Sequence, residues 1–165
     1  MLINKIFFIL IFFLISSCSN FKPVYKDTLQ EVYQLQSFAI LTDKKKASLK
    51  IKKALLNLFP VQNKVKYIIK IETESDTRGT VSDSTRKISR YKNEISANVK
   101  IYYRDKSYDK LIYLFEEKNS SPYTLVLNNI RSTLASKKKA EQTTIRLLSE
   151  VIYKRLLIFL SNNKS

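Results

Sequence analysis

Between Tyr91 and Tyr103 the chain alternates. Tyr91, Ile95, Ala97, Val99, Ile101 and Tyr103 share one parity, while Lys92, Glu94, Ser96, Asn98, Lys100 and Arg104 take the other. A period of two held this long marks a β-strand with one face buried and one face wet. The chain is thereby committed to a sheet covered on one side only, and the remaining elements must supply the cover. Lys64 to Glu74 alternates in the same way, with Val65, Tyr67, Ile69 and Ile71 opposed to Lys64, Lys66, Lys70 and Glu72, and Ile68 out of step. "KLIYLFEE" (Lys110 to Glu117) reads as the strand returning from the first, so that Tyr91 to Glu117 forms a hairpin. A fourth, short strand is expected at Leu35 to Leu41.

The cover is helical. Ala47, Ile51, Ala54, Leu55 and Leu58 fall on one face of a 3.6-residue period, and Pro60 follows as a stop. From Ser132 to Leu160, Ile145, Leu148, Ile152, Leu156 and Phe159 form a stripe broadened by Leu147, Val151 and Leu157. That stretch predicts a rod of ~40 Å. The order β-α-β-β-β-α predicts an α+β two-layer sandwich, about four strands with two helices on one face. Ser75 to Thr85, polar and holding Gly79, reads as a long loop or irregular hairpin tip, and Asn119 to Tyr123 as a further break. Ser19 to about Gln34 shows little periodicity and reads as a tether.

Composition narrows the chemistry. The 165 residues suit one modest domain, with 30 basic against 14 acidic residues and a formal charge of +16. There is no His and no Trp, a single Gly and a single Cys. The usual proton shuttle and commonest metal ligand is therefore missing, as are disulfides, Cys-based zinc sites and glycine-rich phosphate loops. Asp76, Asp83, Glu116 and Glu117 have no evident catalytic counterpart. The expectation is a binding protein, not an enzyme, with no metal and no dissociable cofactor.

The one cysteine explains the start of the chain. Lys5 is the only charge before Ile6 to Ile15, an unbroken apolar block. It is about half the ~20 residues a spanning helix requires. Such a block reads as a secretory signal. Ile15-Ser16-Ser17-Cys18 resembles a bacterial lipobox. The resemblance implies cleavage before Cys18 and thioether-linked diacylglycerol on its sulfur, a covalent lipid that consumes the thiol in an oxidising compartment. The alternative is an ordinary cleaved signal with an incidental Cys. The expected organisation is a signal peptide at 1–17, a lipidated terminus and tether at 18–34, and one domain at 35–165. Ser19 after the cysteine, where Asp would retain an enteric lipoprotein, favours the outer membrane by analogy.

With these elements placed, the chain resembles the LPS-assembly lipoprotein family, LptE, in its alphaproteobacterial form. The resemblance rests on "CSNFKPVY" (Cys18 to Tyr25), "LKIKKALLNLF" (Leu49 to Phe59), "SRYKNEISANVKIYYRD" (Ser89 to Asp105) and "SPYTLVL" with the final helix (Ser121 to Leu160). These are loose patterns over most of the mature chain; Ser19-Asn20 stands where the family often has one Gly. The resemblance implies a non-catalytic lipoprotein on the periplasmic face of the outer membrane. It would plug the LptD β-barrel, bind lipopolysaccharide and assist barrel assembly.

A lipopolysaccharide binder needs fixed positive charge, preferably Arg, against phosphate or acidic sugar. Arg78, Arg86, Lys87, Arg90 and Lys92 gather after the second strand and at the start of the third, and Lys100 and Arg104 continue that face. The competing reading is a solvated face in a Lys-rich chain. Lys44–Lys46 and Lys137–Lys139 read as solvated helix ends. Tyr67, Tyr91 and Tyr103 are expected in or beside the core, whereas Tyr102 and Tyr108 are open to solvent or a partner. Charge and interleaved aromatics also fit nucleic acid, but an export signal removes the chain from it, so no nucleic-acid partner is expected. The rival class is a generic periplasmic scaffold lipoprotein, a transport auxiliary or secretin pilot.

Overall fold

The computed structural model describes residues 25–80, 90–105, 108–126 and 128–163, with side chains from residue 30 onward. Cys18, Arg86, Lys87 and Asp83 lie outside the described residues. The elements are α1 (Tyr25–Gln34), a 3-10 turn (Leu35–Ser37), β1 (Phe38–Thr42), α2 (Lys46–Leu56), β2 (Tyr67–Thr80), β3 (Arg90–Arg104), β4 (Asp109–Thr124) and α3 (Ile130–Asn162). The sheet has the order β1-β2-β3-β4. β1 runs parallel to β2, with α2 as the crossover between them, and the other pairs are antiparallel. This is the expected α+β sandwich, with a third helix added.

Alternation in the sequence becomes the two faces of the sheet. On the covered face Ile69, Ile71, Ile95, Ala97, Val99 and Ile101 are buried. They pack with Ile51 and Leu55 of α2 and Ile145, Leu148, Ile152, Leu156 and Phe159 of α3. The five residues read as the stripe of α3 all reach the core, joined there by Leu160. Phe159 stacks on Tyr113 at 5.2 Å and meets Tyr67 edge-on at 6.4 Å, closing one end of the sandwich. That end, with Phe38, Tyr67 and Tyr103, is the base. The opposite end, the β2–β3 hairpin with Arg78, Arg90 and Lys92, is the tip.

Among the described residues, buried side-chain polar atoms all have hydrogen-bond partners. The Ser48 and Thr73 hydroxyls share a hydrogen bond of 2.7 Å that ties α2 to β2. Thr144 and Ser149 donate to the carbonyls one turn back, Ala140 and Ile145, so neither hydroxyl is stranded inside α3. Asn128 enters α3 with φ of 61°, a left-handed value that Asn tolerates, and the Asn129 side chain accepts from the Ser132 N–H as N-cap.

Four expectations are corrected. Residues 25–34, read as part of a tether, form α1. β2 continues as strand through Thr80, so the first half of the stretch read as a long loop or irregular hairpin tip is paired with β3. β4 runs on to Thr124 through Asn119–Tyr123, and Pro122 is accommodated because β4 is an edge strand that needs no outward N–H there. α2 stops at Leu56, ahead of Pro60; the Leu58 and Phe59 N–H groups both donate to the Leu55 carbonyl and finish the last turn. The sheet is consequently longer than the repeating pattern alone indicates, and β3 with 15 residues spans ~50 Å.

Candidate functional site

The open face of the sheet is ordered by cross-strand register. From base to tip its rows read Ala39–Ile68–Tyr102–Leu111, Leu41–Lys70–Lys100–Leu114, Glu72–Asn98–Glu116, Glu74–Ser96–Lys118, Asp76–Glu94–Ser120, Arg78–Lys92–Pro122 and Thr80–Arg90–Thr124. The face is apolar and cationic at the base, acidic in the middle and basic at the tip.

Three of the five cations picked from sequence are described, and the register brings them together. Arg78 lies directly across from Lys92, and Arg90 sits one row further out on the same face. All three are exposed. The spacing that does this is the strand period: Arg90 and Lys92 are two apart on β3, and Arg78 meets them because β2 remains a strand to Thr80.

Acids stand among them. Arg78 Nε donates to Asp76 at 2.7 Å, and this pair holds the Asp76 carboxyl below its ordinary range and the Arg78 guanidinium above its own. Glu94 accepts from Lys118 at 2.8 Å and lies 3.6 Å from Lys92. The Lys118 hydrogen bond, opposed by partial burial and aided by the charges of Lys92 and Arg78, keeps Glu94 below the usual carboxylate value. A polar depression of about 300 Å³ opens here, lined by Glu74, Ser75, Asp76, Arg78, Glu94, Ser96 and Lys118. An anion arriving at the tip would compete with Asp76 and Glu94 for cations already placed. Lys118 belongs to this network and was missed in the sequence because it is more than twenty residues from the others; its signal is the register of β4 on β3.

Lys100 and Arg104 lie far from the tip, toward the base, where Lys100 binds Glu72 at 3.2 Å and Arg104 approaches Asp109 at 3.8 Å. They are part of the open face and not of the tip cluster. Lys137–Lys139 are exposed but sit within α3, some two turns past its start, instead of at its end. Of the tyrosines, Tyr67 packs against the core and Tyr91 stacks on Tyr123 at 5.4 Å, whereas Tyr103 is 43% exposed at the base. Tyr102 is half-buried under Lys70, whose ammonium lies 4.6 Å from the ring centre, and Tyr108 is exposed.

A second concavity, of about 400 Å³, lies between α2 and α3 and is lined by Ala54, Leu58 and Ile145 with Lys50 and Arg146 at its rim. Both rim cations are engaged, Lys50 by Glu141 at 2.6 Å and Arg146 by Glu150 at 2.8 Å. Asp76, Glu116 and Glu117 do not converge. Asp76 pairs with Arg78, and Glu117 accepts from Arg155 at 2.6 Å on the covered side.

No family model matches the chain, and no curated protein matches it. Solved structures do. A candidate lipoprotein from Caulobacter crescentus CB15 superposes with a TM-score of 0.64 at 12% identity, covering 82% of this chain and 98% of that one. Lipoprotein B from Nitrosomonas europaea, itself uncharacterized, gives 0.60 at 11% over 75% and 83%. A minor lipoprotein from Acinetobacter baumannii gives 0.55 at 12% over 75% and 92%. At this identity the common property is the fold: the sandwich is one that bacterial lipoproteins use.

Proposed function

We propose that this chain is an envelope lipoprotein of the lipopolysaccharide-assembly class. In this reading Cys18 carries the acyl anchor, the body lies on the periplasmic face of the outer membrane, and it seats in an LptD β-barrel as plug and assembly partner. The tip of the open face, with Arg78, Arg90 and Lys92 and their sequence neighbours Arg86 and Lys87, takes the phosphate or acidic sugar of lipopolysaccharide. The chain acts by binding and positioning and performs no catalysis.

The observation that carries the reading is a coincidence of two independent features. The sequence places a lipobox, Ile15 to Cys18, ahead of a single domain. The domain then adopts a sandwich shared with lipoproteins of three other bacteria. Two or three acyl chains, at ~0.8 kcal/mol per buried methylene, hold such a body stably on a bilayer. The tip supplies what a phosphate ligand needs, fixed cations including two Arg on a sheet that does not have to rearrange.

Crosslinking in intact cells followed by affinity purification tests the assignment. Recovery of an outer-membrane β-barrel with lipopolysaccharide supports it. Recovery of an inner-membrane ABC complex or a secretin instead would place the chain among scaffold lipoproteins and overturn the barrel role.

A further inference from the structure

The base of the open face carries an apolar patch that the lipopolysaccharide reading leaves unused. Leu41, Leu111, Ile112 and Leu114 are 46%, 48%, 37% and 52% exposed, and the half-buried Tyr102 ring joins them. Register groups three of them at the β4 edge: Leu114 ends one row, Leu111 ends the row beneath, and Ile112 is the extra residue of a bulge beside Tyr102, while Leu41 lies at the opposite edge of the sheet. A wet sheet face ordinarily carries polar residues at such positions, so grouped aliphatics mark a surface with an occupant.

Lysine identifies the occupant. Lys70 and Lys100 stand between Leu41 and Leu114 in the same row. Lys66 and Arg104 share their parity on the flanks; of the acids nearby, Glu72 and Asp109 are each matched by one cation, and Glu116 ends the Glu72 row. Protein interfaces are depleted in Lys. A second copy docked about a two-fold axis would set Lys70 and Lys100 against their own charges. A phospholipid leaflet with anionic headgroups accepts both features, aliphatics below and ammonium groups at the phosphates. Tyr108, 64% exposed just before β4, adds an amphipathic ring that favours a headgroup boundary. We infer that the base of the open face is a docking surface for an anionic phospholipid leaflet. The inference is separate from the tip site and uses the Cys18 anchor only to bring the chain to the bilayer.

The chain contains no Trp, so Leu114→Trp is a lone reporter and Leu134→Trp, exposed on α3, is its control. The full lipidated protein is reconstituted into phosphatidylethanolamine–phosphatidylglycerol vesicles with and without brominated acyl chains. A docked apolar face lies ~5–10 Å into the boundary, so bromination should lower emission of Leu114→Trp about twofold. Leu134→Trp should be unaffected, and adding Lys70→Gln with Lys100→Gln should reduce the quenching. Unchanged emission of Leu114→Trp, or equal quenching of both reporters, overturns the proposal. A concentration-dependent blue shift of Leu114→Trp without lipid overturns it in favour of a second copy. Intact mass read on the same sample separates the two questions: quenching in a chain lacking acyl groups would remove the anchor and leave the docking surface standing.

Discussion

Replacing Asp76 with Asn should tighten lipopolysaccharide binding instead of weakening it. Asp76 is an acid in a site proposed to bind an anion, and it occupies the Arg78 guanidinium at 2.7 Å. Both side chains are well exposed, 67% for Arg78 and 58% for Asp76, so the pair is solvent-screened and its strength is that of a surface ion pair. Removing the competitor returns that interaction to the ligand, a gain of about 1.4- to 5-fold in affinity. The Asn side chain keeps the shape and an acceptor, so β2 stays in register with β3. The assay is equilibrium binding of purified lipopolysaccharide to the full lipidated protein in detergent micelles, at low and at high salt. The gain should be present at low salt and vanish near 1 M, where the screening length is ~3 Å. Arg90→Gln should move the other way. An Asp76→Asn protein that is folded yet binds with unchanged or weaker affinity refutes the competition and with it the tip as the anion site.

Leu148→Ala, at a fully buried position of α3, should lose about 2.7–5 kcal/mol, while Leu134→Ala, on the exposed start of the same helix, should leave the thermal midpoint within a degree or two; equal losses would contradict the packing. Acid should destabilise the fold in a defined window. Asp43 has its carboxyl pulled below the ordinary 3.8 although burial opposes this, because Ser48 and the backbone N–H groups of Lys45 and Thr73 hydrogen-bond it, and Glu94 is held below 4.5 by Lys118. Depressed folded-state values contribute stability that is complete above the unfolded values and lost as pH falls through the folded ones. Denaturant midpoints should thus be level from pH 7 to 5 and decline below about 4, less steeply in Asp43→Asn. Cys18→Ala should abolish palmitate labelling and release the chain from membranes; labelling that persists in that variant would remove the lipobox assignment.

The sheet and both long helices were legible in the sequence because burial on one face imposes a period, and the five residues of the α3 stripe all reach the core. What periodicity could not convey lies where burial ends. Glu74 to Thr80 is exposed on both faces, so its strand character comes from pairing with β3 and leaves no alternation to read. That hid the Asp76–Arg78 pair, whose two-residue spacing places them side by side only in an extended strand. Pro122 reads as a break until β4 is known to be an edge. α1 does carry an apolar stripe, Tyr25, Leu29, Val32 and Tyr33, but it is only ten residues long, too short a run for its period to stand out from the tether before it. Ile68, out of step with the wet face, is 1% exposed there, set between its cross-strand neighbours Ala39 and Tyr102 within the base patch. The one irregularity in an otherwise regular strand pointed to a real local feature.

The most direct test of lipopolysaccharide contact at the tip is photocrosslinking in cells from a benzoylphenylalanine placed at Arg90, compared with one at Gln142 beside the α2–α3 groove. The account predicts a lipopolysaccharide adduct from position 90 and none from position 142. An adduct from 142 alone, or from neither while the protein remains folded and membrane-bound, would contradict it.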